Sequence, residues 1–235
     1  MKKTWTAGIL PAKMILAIVA VSVLFASCVA TRTRQSQYPK MYNEHPTTIL
    51  VMPPINNTTN VEAKDLLYTS ISYPLIEAGY YVVSPHLAME MLKAESAYDA
   101  ELFVDRDAGV FARVFGADAV IFSEINTWQK EGLGIHTDIH YVIKSTTTND
   151  ILFERRCNLY LDLDQSSNTS NSGLLGALID LTVSAIATAT TDHIVAARKC
   201  NYYIFQDLPR GKYSPQYQKD METSASERNT NVTVK

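Results

Sequence analysis

The 235-residue chain predicts an α/β fold with a mixed sheet: a parallel βαβααβ first half, an antiparallel hairpin and a long packing helix. Three observations lead there. From Thr48 to Ser123, short continuous apolar runs take turns with stretches of helical period, the order that parallel neighbours joined by right-handed crossovers require. From Ile135 to Leu163 the period drops to two, as in antiparallel strands with one wet face. From Gly173 to about Arg198, a stretch with few charges has the length of one long helix.

The first strand is Thr48-Ile49-Leu50-Val51-Met52, stopped by Pro53-Pro54 and apolar throughout, as suits burial on both faces. Asn56-Asn57-Thr58-Thr59-Asn60 follows as a turn and capping cluster. A helix then fits residues 61–78, with Leu66, Leu67, Ile71 and Leu75 near helical spacing, a kink expected at Pro74 and a stop at Gly79. Tyr80-Tyr81-Val82-Val83 is the second strand, and Ser84-Pro85 opens a helix to about Ala94. A loop leads to a third helix over residues 106–115, ended by Gly116, and residues 117–123 form the third strand.

Gly132-Leu133-Gly134 turns the chain into an alternating strand. Ile135, Thr137, Ile139, Tyr141 and Ile143 face one way, and His136, Asp138, His140, Val142 and Lys144 the other. After a loop at residues 146–150, a second alternating strand runs from Ile151 to Leu163, with Phe153, Cys157, Leu159 and Leu161 on one face. Residues 201–205 predict a last short strand. The stretch 173–190 is apolar enough to invite a transmembrane reading, but Asp180 and its many small residues favour a helix packed against the sheet or a partner.

The ends read differently. Met1-Lys2-Lys3, an apolar run of 12 residues from Met14 to Phe25, and Ala26-Ser27-Cys28 have the order of a secretory signal. The run is too short for the roughly 20 residues that cross a bilayer. Two small residues before a cysteine resemble a lipobox, so Cys28 is the expected acylation site, with residues 1–27 removed. Phe25 stands where a leucine is usual, and the competing reading is an ordinary signal peptide with Cys28 incidental. Several acyl chains, palmitate among them, hold firmly where one holds marginally. No Asp follows Cys28, and by resemblance this implies an outer-membrane anchor on the periplasmic face. Residues 28–45 are polar and broken, an expected flexible tether; residues 46–213 are the expected single domain, and residues 214–235 an expected disordered tail.

The mature chain would carry 18 Lys and Arg against 24 Asp and Glu, a net charge of −6. That balance, with no basic patch interleaved with aromatics, opposes a nucleic-acid partner. With Cys28 assigned to lipid, Cys157 and Cys200 remain, an even number for an oxidising compartment, and a disulfide between them is the expectation. Two separately buried thiols are the alternative.

Chemistry has little local support. No Gly-rich phosphate loop and no Gly-x-Ser-x-Gly elbow occurs, so neither an enzyme activity nor a cofactor is expected. His136, Asp138 and His140 share a strand face at about 7 Å intervals and offer the ligand types of a zinc site, beside the plainer reading of a solvated face. The pairs Asp105/Asp107 and Asp162/Asp164 lack a contrasting environment to separate their pKa values. Gly173, Gly176, Ala177 and Asp180, on the small-residue helix, are the expected interface positions, since small side chains permit close approach.

Ile49-Leu50-Val51-Met52-Pro53-Pro54-Ile55-Asn56-Asn57-Thr58, Pro74-Leu75-Ile76-Glu77-Ala78-Gly79-Tyr80-Tyr81-Val82, Phe115-Gly116-Ala117-Asp118-Ala119-Val120 and the glycine-opened helix at Gly173 together resemble a family of bacterial lipoproteins of unknown function, typified by a meningococcal surface-antigen candidate. The resemblance covers roughly residues 47–197. It implies a fold similar to the amino-terminal domain of the Tol-system propeller protein TolB and to the curli secretion lipoprotein CsgG. It also implies a place in an envelope transport, secretion or assembly complex, with other lipoproteins or further copies of the chain as partners. The family has no catalytic residues to carry over, and the cysteine pair and long Tyr-containing tail depart from its pattern.

Overall fold

The computed structural model describes residues 32–163 and 189–234. Its first strand, β1, Thr48–Val51, lies parallel to the edge strand β3, Tyr81–Val82, on one side and to β4, Ala119–Glu131, on the other. Because both faces of β1 are covered, Ile49 and Val51 point into one core and Leu50 and Met52 into a second. That is the burial a continuous apolar run anticipates. β2, Ile55–Asn56, adds a short parallel pairing to the far half of β4.

β5, Gly134–Ser145, and β6, Ile151–Asp162, extend the sheet as the expected antiparallel hairpin, and β7, Asn229–Val234, closes it parallel to β6. Among the described residues the sheet therefore has seven strands, in the order β3-β1-β4-β5-β6-β7 with β2 beside β4.

Six α-helices accompany these strands among the described residues. α3, Ala63–Glu77, and α6, Ala189–Phe205, cover the face that carries Ile139, Tyr141, Cys157 and Leu159. α4, Pro85–Ala94, and α5, Gly109–Phe115, cover the opposite face only where Val120 and Phe122 lie, so beyond Ser123 that face stays open. Pro74 sits in the last turn of α3, and Gly79, at φ +93°, lets the chain turn into β3.

Three expectations are corrected. Residues 34–44 are not a tether: they form α1, Arg34–Gln37, and α2, Pro39–Glu44, and bury Tyr38 and Met41 in the main core. The Tyr38 ring lies 4.7 Å from that of Phe153. Residues 214–234 are not a disordered tail, since Asp220 is buried beside Arg34 and β7 pairs along β6. Residues 201–205 are the end of α6, not a strand. Ala196, Cys200 and Ile204 are all fully buried at intervals of four, a helical and not an alternating pattern.

Candidate functional site

The open half of the sheet is the candidate site. Strand period two brings His136, Asp138 and His140 to this face of β5, as expected, and the register sets Tyr160, Asn158 and Arg156 of β6 beside them. Asn229, Asn231 and Thr233 of β7 continue the same rows.

Each predicted metal ligand already has a partner of its own. Asp138 is buried and accepts two hydrogen bonds from the guanidinium of Arg156, one of them 2.7 Å long from Nε. Those bonds, together with the carboxylate's charge, hold the Arg156 pKa above its ordinary value. His136 lies between Glu131 at 2.9 Å and Asn158 at 3.0 Å, and His140 contacts Glu154 at 3.1 Å with Glu124 4.0 Å away. No group of three His, Cys, Asp or Glu able to hold a metal ion occurs among the described residues. The shared facing is as expected, but the three side chains do not converge on one point, because Arg156 and the glutamates stand between them.

The expected disulfide is corrected. Cys157 and Cys200 are free thiols, both fully buried, and Cys200 Sγ lies 3.2 Å from Thr137 Oγ1. Burial, then the contact with Cys157, pushes the Cys200 thiol well above its usual pKa. Asp107 Oδ1 is used locally, accepting a hydrogen bond from the Gly109 amide at 3.0 Å. Cys28, Gly173, Gly176, Ala177, Asp180 and Asp164 lie outside the described residues.

Sequence reasoning missed the ionic framework behind this face. Arg155 is fully buried and pairs with Asp207, while its second nitrogen donates to Ser226 Oγ at 2.7 Å and Thr230 Oγ1 at 2.9 Å. Arg34 pairs with Asp220 at 2.9 Å and donates to the Gln206 carbonyl at 2.6 Å. The available signal was Arg155 itself, a charge standing between Phe153 and Cys157 on the apolar face of an alternating strand.

Two clefts border β7. One, of about 540 Å³, is lined by Glu124, Asn126, His140, Glu154, Arg156 and Arg228, among others. The second, of about 610 Å³, lies between α1 and the approach to β7 and is lined by Arg32, Ser36, Gln37, Glu227, Arg228 and Asn229.

An open, polar sheet face whose ionisable groups are held in pairs, with helices packed on the other side of the sheet, makes this a mixed α/β domain with one exposed sheet face. The chain belongs to the GNA1162-like lipoprotein family, described as "Putative lipoprotein GNA1162-like", whose profile matches residues 36–206. It is 29% identical over 184 residues, 76% of this chain and 83% of the relative, to "Putative lipoprotein NMB1124/NMB1162" of Neisseria meningitidis serogroup B. The crystal structure of lipoprotein GNA1162 from Neisseria meningitidis is similar at a TM-score of 0.46 and 27% identity, covering 61% of this chain and 99% of that one. A PelC dodecamer from Paraburkholderia phytofirmans is similar at a TM-score of 0.38 and 11% identity, over 70% and 89% of the two chains.

Proposed function

We propose that the mature chain is an envelope lipoprotein, acylated at Cys28 and anchored in the outer membrane with its domain facing the periplasm. There it works without catalysis as a component of a transport, secretion or assembly complex. Membership of a lipoprotein family and the signal ending at Cys28 support the anchor. The observation that carries the assembly role is β7. It ends the sheet, no strand pairs with its outer edge among the described residues, and its residues alternate between exposed and half-buried. An uncovered edge is a template for a strand of a partner or of a second copy.

Labelling with radioactive palmitate tests the anchor: the wild-type protein takes up label and Cys28→Ala does not. A photo-crosslinking side chain at Asn231 tests the edge, and it is expected to yield a discrete higher-mass species in intact envelopes where the same group at Tyr81, on the opposite edge, yields none. A monomer that gives no cross-link from Asn231 and co-purifies with nothing after gentle detergent extraction would remove the assembly role.

A further inference from the structure

The amino-terminal end of the folded domain is fastened at once to its carboxy-terminal segment. The Arg32 carbonyl accepts from the Ala225 amide at 2.7 Å, and the amides of Arg34 and Gln35 donate to the Thr223 and Met221 carbonyls at 2.9 and 3.1 Å. Thr33 and Ser224 form an antiparallel bridge. Arg34, buried with Asp220, locks the junction from inside.

This clamp sets a length. Three residues separate Arg32 from Cys28, and the four fully extended steps between them span at most about 14 Å. The sheet is wider than that, because five strand spacings of about 4.8 Å put β3 roughly 24 Å from β7. A domain held at Cys28 therefore cannot present any side to the bilayer at will. The side around Arg32, at the β7 end of the sheet, stays close to it.

That side presents two exposed guanidinium groups to one cleft. Arg32 and Arg228 are both exposed on the cleft of about 610 Å³, with Ser36, Gln37 and Asn229 as further polar groups and Glu227 as its one acid. Neither guanidinium has an ion-pair partner among the described residues, whereas Arg34, Arg155 and Arg156 are all paired with carboxylates. Guanidinium groups match phosphate oxygens in fork geometry.

We propose that this face rests on the lipid surface, with Arg32 and Arg228 bound to phospholipid headgroup phosphates, so that the anchor orients the domain as well as retaining it. The open edge of β7 then lies near the membrane, and β3 and the exposed Tyr81 point away from it. The inference rests on the acylation of Cys28 proposed above.

The test uses the full-length acylated protein in vesicles of phosphatidylethanolamine with a minority of phosphatidylglycerol. A fluorophore is attached through Ser36→Cys beside the cleft or through Tyr81→Cys at the far edge; Cys157 and Cys200 are buried and do not compete for label. With headgroup spin-labelled lipid as quencher, the Ser36 position is expected to be quenched severalfold more than the Tyr81 position. In Arg32→Glu/Arg228→Glu the Ser36 quenching should fall by at least half, with an unchanged melting curve as the control on folding. Equal quenching at both positions, or no response to the double substitution, overturns the orientation while an acylated amino terminus in the mass spectrum leaves the anchor standing. An amino terminus bearing no acyl groups overturns both.

Discussion

Arg155, facing the core from the middle of β6, forms an ion pair with Asp207, two residues beyond the end of α6. Asp207 in turn accepts from the amide of Ser226 at 2.7 Å and from its hydroxyl, so one carboxylate joins the sheet, the last helix and the carboxy-terminal segment. Breaking a buried pair from one side leaves an uncompensated charge, at a cost of about 3–5 kcal/mol. Asp207→Asn and Arg155→Ala are each expected to lose that much in urea unfolding.

The same pair carries a pH dependence. Burial alone would raise the Asp207 carboxyl, but hydrogen bonds from Ser226 and Arg155 outweigh it and hold the group below the ordinary carboxylate value. A depressed folded pKa contributes stability that is present above the unfolded value, about 3.9, and is lost as pH falls through the folded one. Wild-type stability should therefore drop more steeply below about pH 4 than that of Asp207→Asn. Parallel acid arms for the two proteins would show that Asp207 is not the group responsible.

The central strands were legible because local pattern and tertiary burial agree there. β1 is apolar and buried at Ile49, Leu50 and Val51, on both faces; β5 alternates and has one face open. The ends were illegible for the opposite reason. Tyr38, Met41, Leu208 and Asp220 are sparse buried residues in polar surroundings, and their partners are remote, Arg34 from Asp220 by 186 positions. No window of ordinary length contains both halves of such a contact. At the site, period two placed His136, Asp138 and His140 on one face, but their pairing with Arg156, Glu131 and Glu154 depends on register across strands, which periodicity does not encode.

Gly79 and Gly211 pack backbone to backbone. A Cβ on Gly211 would stand 2.4 Å from the Gly79 carbonyl oxygen, a contact that no flexible side chain can relieve. Gly211→Ala is expected to destabilise by about 1–3 kcal/mol through forced backbone movement. Gly116→Ala, which meets open space but sits at φ +64°, should lose only the left-handed penalty of about 1–2 kcal/mol. Calorimetric melting of the two variants compares them directly, and a neutral Gly211→Ala would contradict the close approach.

Cys157 and Cys200 should be unreactive in the folded protein. A thiol attacks as its thiolate, and both the burial and the raised pKa of Cys200 suppress that form. Treatment of the native protein with a coloured thiol reagent is expected to modify neither, and addition of denaturant without reductant should expose two thiols. Finding none after unfolding would show that the pair had been oxidised to a disulfide by an envelope thiol oxidant.

Zinc is expected to produce no binding heat that depends on the histidines. Liganding by Asp138 would require release of Arg156, whose two hydrogen bonds would be lost from a buried carboxylate. Titration calorimetry of wild type and His136→Ala/His140→Ala should give indistinguishable heats, and a stoichiometric exotherm confined to the wild type would reinstate a metal site.

Ending the chain at Tyr213 tests the carboxy-terminal segment as a structural part. The cut removes Asp220 from Arg34 and Ser226 from Asp207, and strips β7 from β6. Arg34 suffers most: buried at 8% accessibility, its side chain keeps only the Gln206 carbonyl as a partner among the described residues. An orphaned buried charge costs about 3–5 kcal/mol. Against a total stability of 5–15 kcal/mol for an ordinary domain, that loss together with the missing strand leaves little margin. The shortened chain is expected to melt far below the full-length protein, or without a cooperative transition, and limited proteolysis should cut first within residues 32–44, whose carboxy-terminal partner is gone. A cooperative transition at the full-length midpoint would mean that β7 and the Arg34 clamp are dispensable. In that case the domain would close without them, and the short reach from Cys28 to the fold would no longer be fixed.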